Sequence, residues 1–343
     1  MRISSFMYLD MMKKSFQDNI SQLYDSQEQL SSGLKVNKPS DDISAMGQIL
    51  GYKVDIANST QYQKNISAAL SFLQTSDTAM SSVVDNLQRM EELMVSGVNG
   101  STDASGRRDT AAEIDTIKNS LYSLSLTRSG DRYLFSGSQT NTASFATSPT
   151  GIYTYAGDSA QISININSTA QVIENITGSD AFAYSLQGTN SIRLTSGNWA
   201  HFVPSPVSTK ITVTLSTSSS PSAAGIEQAS FSNYMEMTNV IAKAFNNNDV
   251  DMINAMMSPL QSALDKVTTV RATIGARLNY LQQTGSNNDS NNVNQTEYLS
   301  NTQDSDITVT TTDISKSEMA LQALRQSSGQ VMSQTLFDFL TIK

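Results

Sequence analysis

The side chains able to do chemistry are few here, and their scarcity limits what the chain could catalyse. There is one histidine, His201, in the run Trp199 to Phe202, and there is no cysteine. One imidazole without a thiol leaves neither a paired-histidine zinc motif nor a Cys–His dyad, and any Ser–His–Asp triad would depend on that single ring. Beside Trp199 and Phe202, His201 reads as loop or core packing. Asp41 and Asp42 are adjacent carboxylates, a pairing that can serve general acid–base catalysis, but a helix cap accounts for them without it. No glycine-rich phosphate loop follows a predicted strand. The expectation is a protein with no catalytic residue, no cofactor and no metal site.

Binding chemistry is narrowed in the same way. The formal net charge is -9 over 343 residues and no basic run occurs, so a nucleic-acid partner, which needs clustered Lys and Arg, is excluded. Hydrophobic residues at 38% are enough for a core, yet charged residues at 15% and aromatics at 7% are sparse for an ordinary compact globule. The absence of cysteine rules out disulfides and suits a protein that leaves the cell without oxidative folding. Asp10, Lys13 and Lys14 interrupt the apolar residues near the N-terminus, so no Sec-type signal peptide is expected. No run of about eighteen apolar residues exists, so neither a membrane span nor a membrane partner is expected.

What must position the remaining residues is legible as two periods. Leu9, Phe16, Leu23 and Leu30 fall every seventh residue, with Phe6, Ile20 and Leu34 on the adjoining seam. Lys13 and Gln27 occupy places where that seam should be apolar, which leaves it weak when alone. Ile66, Leu73, Met80, Leu87 and Met94 repeat the spacing, and a helix from Ser44 to Ser96 would be about 80 Å long. A third helix is expected after the Asn99 to Gly106 turn, with Ile114, Ile117, Leu121 and Leu124 on one face. Ile253, Leu260, Val267, Ile274 and Leu281 repeat every seventh residue again.

Between these arms the period changes to two. Ile162, Ile164 and Ile166 alternate with polar residues, as do Ile211, Val213 and Leu215. From Tyr133 to Gly225 there are only five charged residues, and four of the six prolines fall there, which marks an inserted β-rich domain. The predicted fold is mainly α: a long coiled-coil-like helical stem built from both termini, with that domain inserted. Its parts are an N-terminal assembly helix over 1–40, half of the stem over 41–132, the β-rich outer domain over 133–225, the other half over 226–304 and a C-terminal assembly helix over 305–343. Ser286 to Thr302 is so rich in Asn and Ser that its low helix propensity puts the continuity of the last long helix in question.

The segment Leu34 to Asp42, LKVNKPSDD, is the most informative local motif. Gly33 can end the first helix in a left-handed conformation, and Pro39 prevents its resumption. Ser40, Asp41 and Asp42 supply a cap and negative charge at the next helix's positive end.

Arg2-Ile3-Ser4 and QLSSGLKVNKPSDD from Gln29 to Asp42 resemble the N-terminal region of flagellins and flagellar hook-associated proteins. The likeness continues through QYQKN (Gln61 to Asn65), NGSTDASGRRD (Asn99 to Asp109) and YLFSGSQTNTASF (Tyr133 to Phe145). It resumes at VRATIGARLNYLQ (Val270 to Gln282) and ALQALRQSSGQVMSQTLFDFL (Ala320 to Leu340). The Tyr133 to Phe145 run is nearer to the hook-associated branch than to flagellin, although Ser144 stands where that branch usually has proline.

This resemblance implies a structural subunit of the flagellar axis, placed between the hook side and the filament. It would be exported through the flagellar type III apparatus and would pack with flagellin, another hook-associated protein and copies of itself in a ring. The residues expected to make that packing are Phe6, Leu9, Phe16, Ile20, Leu23 and Leu30 at one end. At the other they are Leu321, Leu324, Val331, Leu336, Phe337 and Leu340. A cytoplasmic export chaperone is expected on Ile314, Leu321, Leu324, Val331 and Leu336. Flagellin itself, and less closely a coiled-coil type III-secreted adhesin or translocator, remain as alternatives.

Overall fold

The computed structural model describes residues 2–148, 151–184, 189–205, 209–221 and 227–340, with side chains outside 2–6, 8–9, 227 and 330–340. Within them, seven helices carry most of the chain: α1 (Arg2–Ser32), α2 (Ile43–Val98), α3 (Ala104–Ser125), α4 (Gly178–Phe182), α5 (Tyr234–Asn246), α6 (Val250–Gln303) and α7 (Ile307–Leu340). Contacts divide it into two units. One holds Met1–Gln61 and Asn288–Lys343, and the other holds Tyr62–Asn287. Helices α2 and α6 contribute to both.

The Tyr62–Asn287 unit has a dry core. Ile66, Leu73, Met80, Leu87 and Met94 on α2, and Ile253, Leu260, Val267, Ile274 and Leu281 on α6, are all fully buried. Sevenfold spacing puts each set on one side of its helix, and Ile114, Ile117 and Leu121 of α3 close over them. Asp103 caps α3 by accepting from the Gly106 N–H at 2.8 Å. Arg107, in its first turn, is buried and holds three backbone ends together. It donates to the carbonyls of Gly97 (2.7 Å) and Asn99 (3.3 Å) and to Asn248 Oδ1 (2.8 Å).

The chain enters its β region through a short hairpin of β1 (Arg128–Ser129) and β2 (Arg132–Tyr133), turned at Gly130 with φ +59. Two more hairpins follow, β3 (Phe145–Thr147) with β4 (Tyr153–Tyr155) and β5 (Ser163–Asn165) with β6 (Gln171–Ile173). Strands β7 (Asn190–Arg193), β8 (Trp199–Pro204), β9 (Ile211–Ser216) and β10 (Glu227–Phe231) make an antiparallel sheet in the order β10-β9-β8-β7. Ile211, Val213 and Leu215 are buried. The scarce aromatics are gathered beneath: Phe182 meets Phe135 at 5.1 Å and Phe145 at 5.7 Å, both edge to face, and Tyr234 of α5 at 6.3 Å.

Residues 133 to 145 tie the helices to this region. The Tyr155 hydroxyl donates to the Asp158 carbonyl at 2.6 Å, and the Gly178 N–H donates to the Phe135 carbonyl at 2.7 Å. A Cβ on Gly178 would sit 2.7 Å from that same carbonyl oxygen and 2.5 Å from the Tyr155 ring, so glycine is required there. Ser144 is fully buried and its hydroxyl lies 3.0 Å from that of Ser136.

In the other unit the α2–α6 seam turns polar. Contrary to its propensity, Ser286 to Thr302 stays helical as part of α6. The reason lies in side-chain pairing. Ser59 Oγ donates to Asn288 Oδ1 at 2.6 Å, and Asn288 Nδ2 donates to the Ser59 carbonyl at 2.8 Å. Tyr52 packs on Tyr298 with centroids 6.0 Å apart. Thr296 and Thr302 turn their hydroxyls back to the carbonyls of Asn292 and Tyr298, rather than competing for other backbone conformations. Asn292 Oδ1 and Gln295 Oε1 are buried without partners.

This contrast is measurable. Leu73→Ala should cost about 2–5 kcal/mol by opening a cavity in the dry seam. Asn292→Leu should instead raise stability by about 1–2 kcal/mol, because it removes an unsatisfied buried oxygen. Urea unfolding followed by circular dichroism reads both, and a stabilised Leu73→Ala or a destabilised Asn292→Leu would contradict the assignment.

Candidate assembly interface

The structure offers joints and uncovered helices in place of a reaction centre. At Gly33, with φ +72, α1 ends as the Gly33 N–H reaches the Gln29 carbonyl at 2.8 Å. Pro39 lies in a turn closed by the Asp41 N–H on the Lys38 carbonyl at 3.0 Å. Asp41 folds back on this turn: Oδ2 accepts from the N–H groups of Lys38 (2.9 Å) and Asn37 (3.0 Å). Those bonds, that of Lys38 first, hold its carboxyl below the ordinary range. Asp42 caps α2, accepting from the Ala45 N–H at 2.9 Å, while the Ser40 hydroxyl donates only to Asp41, at 3.4 Å.

A second joint lies against the first. Between α6 and α7, Asp304 bridges to Leu34, the Gln303 carbonyl accepts from the Lys35 N–H at 2.7 Å, and the Ser305 N–H donates to the Gly33 carbonyl at 2.9 Å. Asp306 caps α7 through the N–H groups of Thr308 and Val309. The two turns therefore satisfy each other's backbone.

Beyond the joints α1 packs on α7. Phe16, Ile20 and Leu23 are half-buried, as are Ile314 and Leu324, while Leu321 is buried and Leu30 exposed. The side chains of Phe6, Leu9, Val331, Leu336, Phe337 and Leu340 lie outside the described residues. Sequence reasoning missed Ser26, Thr310 and Ser317, which are all buried. Thr310 and Ser317 are seven apart and Ser317 is four before Leu321, so extending the heptad to small hydroxyl residues would have found them.

This unit has little core of its own. Its buried hydrophobics among the described residues are Val36, Ile49 and Leu321. Of the fifteen exposed large hydrophobics among the described residues, twelve belong to it, from Met7, Met11 and Ile43 to Val309 and Met319. Surface chemistry of that density signals partner contact.

His201 is fully buried in the sheet. Its Nε2 donates to the Ser218 carbonyl at 2.8 Å and its Nδ1 lies 2.7 Å from the hydroxyl of Ser191, its cross-strand neighbour. Both ring nitrogens are thus occupied within the fold. Among the described residues no group of three His, Asp or Glu could hold a metal, and no helix is long and apolar enough to cross a membrane.

Long paired terminal helices around a β-rich middle, with apolar faces uncovered at one unit, define a helical assembly subunit. The family model of the bacterial flagellin N-terminal helical region matches residues 3–140, so the chain carries that region. Over most of its length it is homologous to flagellar hook-associated protein 3. The Escherichia coli K12 protein of that name is 25% identical over 311 residues, covering 90% of each chain. Flagellin of the same organism is 35% identical over 103 residues, covering 30% of this chain and 20% of that protein. Among solved structures, the flagellar junction protein from Legionella pneumophila aligns with a TM-score of 0.54 at 20% identity, covering 76% of this chain and 100% of that one. These relatives are structural flagellar proteins rather than enzymes.

The joint makes two expectations. Gly33→Ala should cost about 1–2 kcal/mol from its left-handed backbone, read as helicity lost by circular dichroism, and Asp42→Ala about 1 kcal/mol from the lost cap, read as faster hydrogen exchange in the first turn of α2. Asp41, Asp103 and Asp158 all have carboxyls depressed below 3.8, by the N–H groups of Lys38 and Gly106 and by the Ser138 hydroxyl respectively. A depressed folded value means a contribution that is full above 3.8 and lost as pH falls through the lower value. The urea midpoint should hold down to about pH 4 and drop below it, and a midpoint rising over that range would show the opposite sign.

Proposed function

We propose that this chain is a structural subunit of the bacterial flagellum, forming the junction ring between the hook side and the flagellin filament. The observation that carries this reading is the terminal unit, whose large apolar side chains are nearly all exposed or only half-buried. At about 1.5–3 kcal/mol for each large side chain buried, neighbours can supply what the lone subunit cannot. The extent of similarity sets it apart from a filament subunit, since likeness to hook-associated protein 3 runs through both arms and the middle while likeness to flagellin is confined to a much shorter region.

In this reading residues 1–40 and 305–343 are the assembly helices, 41–132 and 226–304 the stem, and 133–225 the outward β domain. Partners are flagellin, another hook-associated protein and further copies of the chain. The protein leaves through the flagellar type III apparatus and does no catalysis. Before export a cytoplasmic chaperone takes Ile314, Leu321, Leu324, Val331 and Leu336 as one face of a helix laid in a groove. Because Leu321 and its neighbours also face α1, the chaperone and α1 compete for α7. Each end must offset its own ordering entropy, so the termini of a free subunit become fully ordered only on assembly or chaperone binding.

A deletion strain of the source bacterium should build hooks without filaments in the electron microscope, and normal filaments there would end the proposal. Replacing Leu321, Leu324 and Leu336 by Ser should abolish filament restoration while the Tyr62–Asn287 unit stays folded. In the purified monomer, hydrogen exchange should be fast over residues 1–40 and 305–343, and strong protection there without a partner would show that the faces are satisfied internally.

A further inference from the structure

Within the Met1–Gln61 and Asn288–Lys343 unit, helix α2 carries exposed apolar residues on the side opposite its buried one. One side, with Ile49 and Ser59, is buried. At 3.6 residues per turn, Ile43, Leu50 and Val54 lie half a turn away. They are 82%, 58% and 59% exposed. An ordinary surface helix is polar there. On the same bare side stand Gly47 and Gly51, and a Cβ at either would meet nothing within 4 Å. Glycine is among the poorest helix formers, and among the described residues no contact requires it at these places. Together these residues leave a strip of bare backbone beside exposed apolar side chains.

Helix α1 presents the matching ridge. Met7 and Met11 are 66% and 60% exposed, on the side of α1 away from Phe16, Ile20 and Leu23. Laid antiparallel with Met11 over Gly47, their spacing of four brings Met7 over Gly51. The same register sets Lys14 within one helical turn of Asp42. Both are exposed, and among the described residues neither has an ion pair. Long unbranched thioethers fit over glycines, which admit close backbone approach.

We propose that the bare face of α2 receives α1 of a second copy of this chain, with Met7 and Met11 seated on Gly51 and Gly47 and Lys14 beside Asp42. The contact rests on the junction reading and gives its ring a specific joint: each copy offers one ridge and one bare strip, so the association is head to tail.

The absence of cysteine makes the test clean. Full-length Met11→Cys and Gly47→Cys chains, expressed together in the deletion strain, should yield a mixed disulfide dimer in isolated flagella. Lys14→Glu should reduce its yield at least severalfold, and adding Asp42→Lys should restore it. Gly47→Leu with Gly51→Leu removes two poor helix formers, so the monomer should remain folded with slower exchange in α2, yet filaments should not be restored. If wild type restores filaments while the leucine variant does so equally and no mixed dimer forms, the contact is wrong and the junction reading stands. If Met11→Cys couples only to a different protein, the second copy is the wrong occupant. If wild type does not restore filaments, the junction reading itself fails.

Discussion

The α2–α6 pair faces itself with two kinds of seam, and the rest of the molecule follows from the change. Between Ile66 and Met94 the facing positions are large and apolar, and α3, α5 and the aromatics of the β region gather on that surface. Toward the chain ends the same helices face each other through Ser59, Asn288, Asn292 and Gln295. Ser59 and Asn288 satisfy each other while the Asn292 and Gln295 oxygens stay unpaired, and such pairing adds little net stability, since folding exchanges one set of hydrogen bonds for another. The dry seam can therefore hold one unit alone. The polar one specifies register without supplying a core.

That difference explains why the joints are built so fully. With few buried apolar groups around it, the double turn at Gly33 and Asp304 relies on backbone pairing and on carboxylates at helix N-termini. Asp42 and Asp306 each cap a helix, and Asp41 closes its own turn. These are directional interactions that fix angle more than they add energy. A subunit whose ends are to be covered by neighbours needs them aimed before they are buried.

The parts legible in the sequence were those governed by one repeated spacing. Leu73, Met80, Val267 and Ile274 could be read as a core because sevens put them on one side. Ile211, Val213 and Leu215 could be read as strand because twos do the same. Other features carry no such period. Ser26, Thr310 and Ser317 are buried small hydroxyls, invisible to a search for apolar stripes. Helix α5 escaped because its 13 residues are fewer than two sevens, too short for a repeated spacing to show. The run from Ser286 to Thr302 misled because propensity is a local quantity, whereas the pairing that holds it, Ser59 with Asn288, spans 229 positions of sequence. His201 was judged correctly as packing, but its two bonds to Ser191 and Ser218 depended on strand register.

Uncovered apolar faces carry a hazard before assembly, and the charge balance addresses it. A net charge of -9 gives free copies a mutual repulsion that keeps acidic proteins apart in dilute solution. The repulsion is long-ranged and weakened by salt, whereas apolar contact acts only at touching distance and grows with each side chain covered. Random encounters, which bury little, are therefore resisted. An encounter in register, which covers several of Met7, Met11, Ile43, Leu50 and Val54 together, gains more than the repulsion costs. In the proposed ring this makes assembly selective for partners that fit along a whole helix face, and the sparse charge on the rest of the chain leaves that balance to the ends.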